Sequence, residues 1–138
     1  MNKRIYITVI LITIGLLANA QQNKSTTLVG SWMGKSESKG LSVEESVLFI
    51  FELKNGNIKG YMDFPDKRIK GIALDKVWMI EDTIFADARK SLGWPESAPL
   101  IFKGLIKPGD STIVGWWGGD RRMILSRTNY ILDRKSVV

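Results

Sequence analysis

Few side chains in this sequence could do chemistry, and most of them stand in the wrong company. Carboxylates come in two close pairs, Asp63 with Asp66 and Glu81 with Asp82, and paired carboxylates can run acid–base chemistry. Both pairs lie in turn-like sequence, where Asp commonly accepts hydrogen bonds from nearby backbone, so a structural role is expected of them. Asp63 and Asp66 could lend oxygens to a calcium ion, but hard cations take about six or more ligands and no matching loop surrounds this pair. The run Ser36-Glu37-Ser38-Lys39 brings a lysine near a serine. A Ser-Lys dyad needs that lysine buried, however, and this run reads as a solvated loop.

The chain contains no His and no Cys. Without His there is no Ser-His-Asp triad, no usual base near neutral pH, and no His-ligated zinc. Without Cys there are no thiol nucleophiles, thiolate metal sites, disulfides or lipidated cysteine. The expectation is therefore a non-enzymatic protein with no catalytic residue, no metal and no cofactor.

Aromatic side chains are the richer signal, with five Trp and five Phe. Trp32, Phe49, Phe51, Phe102 and Trp117 fall at inward-facing positions of strand-like runs, as does Met62. In a small barrel such a set either fills the core or lines a pocket for one small apolar ligand. Trp78, Trp94, Trp116, Phe85 and Tyr61 fall at outward positions or in a loop. Exposed aromatics at this density suggest an interaction surface, for a protein partner, sugar rings or a second copy.

Those side chains must be carried by strands. From Leu28 onward, short apolar runs alternate with turn signals about every ten residues. Leu28 to Ser36 opens the series, and Val47 to Leu53 follows with Val47, Phe49, Phe51 and Leu53 on one face. Asn55-Gly56, between two apolar runs, is the strongest short-range hairpin signal. Ile58 to Asp63 returns, with Ile58, Gly60 and Met62 inward and Lys59, Tyr61 and Asp63 outward. Pro65 breaks the run. Gly71 to Ile80 resumes with a kink at Asp75-Lys76, and Thr83 to Ala88 comes next. Arg89 to Ala98, around Gly93-Trp94-Pro95, is irregular. Pro99 to Ile106, Thr112 to Trp117 and Arg122 to Arg127 complete the set, the last two joined across Gly118-Gly119-Asp120. No amphipathic helix is evident after the leader. The expected fold is all-β: an antiparallel meander of about eight strands closed into a barrel, which also removes exposed edges.

The first 20 residues carry an address. Lys3 and Arg4 precede an apolar stretch from Ile5 to Leu17, and Ala18-Asn19-Ala20 supplies a small-x-small cleavage pattern. The apolar stretch is short for a span of roughly 20 residues. Residues 1–20 are expected to be a cleaved signal helix, 21–27 a disordered stretch, 28–127 the barrel, and 128–138 a tail. An exported protein without a membrane span follows, periplasmic or extracellular. The formal net charge of +6 includes the two basic residues of the leader. What remains is interspersed, with no basic stripe for nucleic acid.

Two stretches resemble a known family. Gly30-Ser31-Trp32 opens the first strand and Arg127 closes the last, as in the calycin (lipocalin-like) pattern, where the arginine lies over the tryptophan at the closed end of the barrel. Gly60-x-Met62-Asp63-x-Pro65-Asp66, Lys70-Gly71-Ile72, and Ile113-Val114-Gly115-x-Trp117-x-Gly119 with Leu125-Ser126-Arg127 also resemble a small exported bacterial β-barrel domain. That domain commonly precedes a secreted α/β-hydrolase. The resemblance runs from about Leu28 to Arg127. It implies a barrel with a Trp32–Arg127 cap, either alone or as an accessory domain of a hydrolase system. The hydrolase activity does not carry over, because the chain has no Gly-x-Ser-x-Gly elbow and no His. The stretch around Trp94-Pro95 is also longer than the family pattern.

Overall fold

Alternation of apolar and polar residues at period two puts these runs into strands. The structure, a computed structural model, describes residues 27–37, 44–107 and 109–129. The expected signal helix, most of the 21–27 stretch and the tail beyond Asn129 lie outside the described residues. The described residues form nine strands: β1 Gly30–Glu37, β2 Glu45–Lys54, β3 Asn57–Phe64, β4 Ile69–Ala73, β5 Lys76–Ile80, β6 Thr83–Asp87, β7 Ile101–Leu105, β8 Thr112–Trp117 and β9 Arg121–Thr128. All pair antiparallel in one curled sheet of order β4-β3-β2-β1-β9-β8-β7-β6-β5.

Two expectations need correction. The count is nine because the run from Gly71 to Ile80 breaks where the kink was expected. Leu74 N–H donates to the Gly60 carbonyl (2.9 Å), whereas Asp75 N–H donates to the Asp87 carbonyl (2.7 Å). One continuous stretch thus changes partner from β3 to β6 within two residues. The barrel is also not closed by a ladder: β4 and β5 are the two ends of the sheet. The result is a curled half-barrel whose ends are joined covalently.

The turns follow from residue type. Asn55 (φ 53°) and Gly56 (φ 76°) both take the left-handed conformation that a two-residue hairpin matched to strand twist requires. At the far side of the sheet, Gly104 and Gly115 face each other across β7 and β8. A Cβ on Gly115 would lie 2.6 Å from the Phe102 ring and 2.7 Å from the Lys103 carbonyl. The pair of glycines therefore makes the space into which Phe102 folds.

Trp32, Phe49, Phe51, Met62, Phe102, Trp117, Ile84, Ile113, Met123 and Leu125 form one buried core on the concave face. A single cross-strand row runs Arg127, Trp32, Phe49, Met62, Ile72 through five strands. Leu53 departs from its expected inward role and is 41 % exposed, because β2 runs past the core into the hairpin. Leu48 and Asp63, at outward positions and paired across β2 and β3, are 0 % and 2 % exposed.

Candidate functional site

One end of the half-barrel is plugged. Trp32 lies fully buried and its indole Nε1–H donates to the Leu28 carbonyl at 2.8 Å. Arg127 is its direct cross-strand neighbour, and the guanidinium carbon sits 4.3 Å from the indole centroid. The same guanidinium donates to the carbonyls of Val29, at 2.9 Å, and Thr27. The arginine therefore fastens the segment before β1 across the end of the sheet while covering the ring.

Above this plug the aromatics touch one another. Phe49 lies 5.8 Å from Phe51, 4.9 Å from Phe102 and 6.0 Å from Trp117, centroid to centroid. These are packing distances for aromatic pairs. Phe49, Phe51, Met62 and Phe102 are buried core and line no cavity among those described. Of the expected ligand-lining residues, Trp117 also lines a cavity.

That cavity opens at the other end. It has a volume of about 560 Å³, within the range of small-molecule sites. Trp117, Met123 and Val47 belong both to the core and to its lining, so they make its floor. Phe64, Ile72, Leu92, Leu100 and Trp94 surround it, and Glu45, Lys67, Asp120 and Arg121 supply charge. Each comes from the same end of its strand or from an adjoining connection.

The irregular segment between β6 and β7 roofs this end, and it is pinned from both sides. Arg89 donates from Nε and from a terminal nitrogen to the two Asp87 carboxylate oxygens, at 3.0 and 2.7 Å. It also reaches the carbonyls of Glu96 and Ala98. Those hydrogen bonds from Arg89 hold the Asp87 carboxyl below its ordinary value. Asp75, at the partner switch, accepts from Lys90 N–H at 2.8 Å and Ser91 Oγ–H at 2.6 Å. Trp94, grouped by sequence with the outward aromatics, is placed by this scaffold at the mouth, where it is 52 % exposed.

Glu45 is the unusual polar residue there. Its Oε1 is buried and has no hydrogen-bond donor among the described residues. Lys67 Nζ stands 2.5 Å away, an ion pair that balances the charge. The same ammonium lies 5.7 Å from the Phe64 ring centroid. No sequence signal singled out Glu45 or Lys67, since one opens a strand and the other ends a short 3-10 turn.

Asp63 Oδ1 accepts from Gly71 N–H at 2.6 Å, and Asp66 Oδ2 accepts from Ser46 N–H at 2.8 Å. The Ser46 amide holds the Asp66 carboxyl below its ordinary value. Glu81 takes a left-handed turn conformation at φ 53°, and the Asp82 carbonyl accepts from Ile106 N–H. The Asp63 and Asp66 carboxylates thus brace backbone. Lys39 lies outside the described residues.

The convex face carries a second feature. Cross-strand pairing sets Trp78, Phe85, Lys103, Trp116 and Arg122 in one row through β5 to β9. Trp78 and Phe85 stack at 5.1 Å. Lys76 lies over Trp78 and Lys103 over Phe85, at 4.9 and 5.9 Å. A shallow groove of about 590 Å³ runs along Trp78, Phe85, Ile101, Lys103 and Trp116. Ile80, Leu105, Trp116 and Ile124 on this face are exposed. Tyr61 lies in β3, away from the row. Among the described residues, no helix is long and apolar enough to cross a membrane.

No family model, curated protein or solved structure matches this chain.

Proposed function

We propose that this chain is an exported, non-enzymatic binding module whose mouth cavity takes a small, largely apolar ligand. The observation that carries it is the cavity of about 560 Å³ over a packed aromatic floor, walled by apolar side chains and rimmed by few charges. A ligand there would sit above Trp117 rather than descend between Phe49 and Trp32. Burying about 200 Å² of apolar surface contributes about 5 kcal/mol before the costs of association. The apolar walls make chain length matter more than branching, and the charged residues at the rim face the ligand's polar end.

Native mass spectrometry of protein purified without refolding tests this. A retained small-molecule mass that is lost in Leu100→Trp, which fills the cavity, is the expected result. A bare mass together with no quenching or shift of Trp94 and Trp117 fluorescence by any apolar probe overturns it.

The convex row favours a second role, as an interaction module for a partner protein. Alternating rings and ammonium groups beside exposed aliphatics resemble the centre of a protein interface more than a solvated sheet face. The resemblance to calycin-type domains that precede secreted hydrolases, supported by the Trp32–Arg127 cap and the meander order, suggests a hydrolase as that partner. A secreted hydrolase encoded beside this chain should then bind it, and Trp116→Ser should abolish binding without loss of stability. Equal binding by Trp116→Ser removes the convex face from consideration.

A further inference from the structure

We infer that the mouth cavity is built for an amphipathic amine: a ligand with an apolar body and an ammonium head that takes the place of the Lys67 side chain against Glu45. The inference rests on the cavity being a ligand site, and it names the chemistry of the ligand's polar end.

Three observations converge on it. First, Glu45 Oε1 is buried at the cavity wall and has no hydrogen-bond donor among the described residues. A carboxylate oxygen at a buried wall must keep a cationic or donating partner, so a ligand group that displaces Lys67 there should be one. Second, the chain already places an ammonium there. Lys67 Nζ stands 2.5 Å from that oxygen and over the Phe64 ring, so the mouth demonstrably accommodates an alkylammonium. Lys67 is largely exposed while the Glu45 side chain is only 19 % so, and a long exposed side chain can swing into water and leave the better-buried acid behind. Third, aromatic faces attract cations, and Phe64, Trp94 and Trp117 all line this cavity.

An anionic head is the opposite possibility, since Arg121 also lines the mouth. Asp120 precedes it in the same turn and lines the same cavity, which offsets that charge. Among the described residues, the ion-pair partner of Glu45 is the displaceable Lys67. The mouth is thus a carboxylate in an aromatic frame with a removable internal cation. An incoming amine replaces one ammonium by another, so its entry strands no charge.

Decylammonium, decanoate and decanol share one chain and differ only in the head, which separates the two levels of the claim. Binding is followed by calorimetry and tryptophan fluorescence, below the concentrations at which the probes micellise. Decylammonium should bind at least about tenfold more tightly than either other probe, the scale of one charge-assisted hydrogen bond. Glu45→Gln should erase that preference and leave decanol affinity within about twofold. Lys67→Met, which removes the resident cation, should raise decylammonium affinity. Far-UV circular dichroism checks that both variants are folded. Equal or tighter binding of decanoate, or an unchanged preference in Glu45→Gln, overturns the amine inference while the cavity stands. Failure of all three probes, decanol included, overturns both.

Discussion

Removing the ring of Trp32 should cost this protein a large share of its stability. The side chain is fully buried and closes one end of the half-barrel. Truncating a buried Trp to Ala forfeits about 3–5 kcal/mol in lost transfer and residual cavity. The Leu28 carbonyl, which accepts the indole N–H at 2.8 Å, is then left without that donor, adding about 1 kcal/mol. Against a domain stability of about 5–15 kcal/mol, Trp32→Ala should leave a marginal fold. Urea unfolding followed by far-UV circular dichroism measures this without relying on tryptophan emission. The cation–π part needs a cycle, because Arg127 also donates to the Val29 and Thr27 carbonyls. Trp32→Leu and Arg127→Met, singly and together, remove the ring and the charge while keeping apolar bulk. Their coupling should be about 0.5–2 kcal/mol. A loss below about 1 kcal/mol in Trp32→Ala, or a coupling of zero, refutes the plug-and-cap account.

Other perturbations test other layers. Gly115→Ala would push a methyl to 2.6 Å from the Phe102 ring and 2.7 Å from a backbone carbonyl, so overpacking should cost about 1–3 kcal/mol; an unchanged urea midpoint contradicts the crowding. Gly56→Ala meets nothing within 4 Å, so its loss of about 1 kcal/mol should be purely conformational, and Gly56→Asn should lose less. Asp87→Asn should cost about 1 kcal/mol near neutral pH. Because Arg89 depresses the folded-state value of Asp87 below 3.8, the unfolded chain takes up the proton first on acidification. The contribution is therefore whole above the ordinary carboxylate value and fades as pH falls through the depressed one. Parent and variant should converge below about pH 4, and a gap that widens in acid would contradict the sign.

Much of the fold was legible because period-two patterning and turn chemistry are local. Asn55-Gly56, Gly118-Gly119 and the alternation from Val47 to Phe51 place the four strands of two hairpins unaided. Phe49, Phe102 and Trp117 met in the core as their parity required. The kink at Asp75-Lys76 was readable, but its consequence was not. Whether a bent strand closes a barrel or hands over between partners depends on which carbonyls, Gly60 or Asp87, stand opposite, and those are distant in sequence. Parity also misplaced Leu53, since alternation does not say where a strand outruns its core. The mouth escaped because its chemistry is assembled from far apart. Glu45 and Lys67 have no motif, and Trp94 reaches the rim through a loop whose shape is set by Arg89 and Asp75.

The placement of β1 and β9 side by side has a kinetic meaning. Arg127 and Val29, joined by a hydrogen bond, are 98 residues apart in sequence, and β9 lies in the middle of the sheet between β1 and β8. Hairpins such as β2–β3 and β5–β6 can zip early, each from a tight turn. The two halves of the sheet cannot join until β9 arrives, and that loop closure is the longest between neighbouring strands of the described sheet. Folding should therefore be slow for this size, in the millisecond-to-second range of non-local β topologies. Conservative core changes in β9 should slow refolding if its docking makes the transition state, and speed unfolding if it docks later.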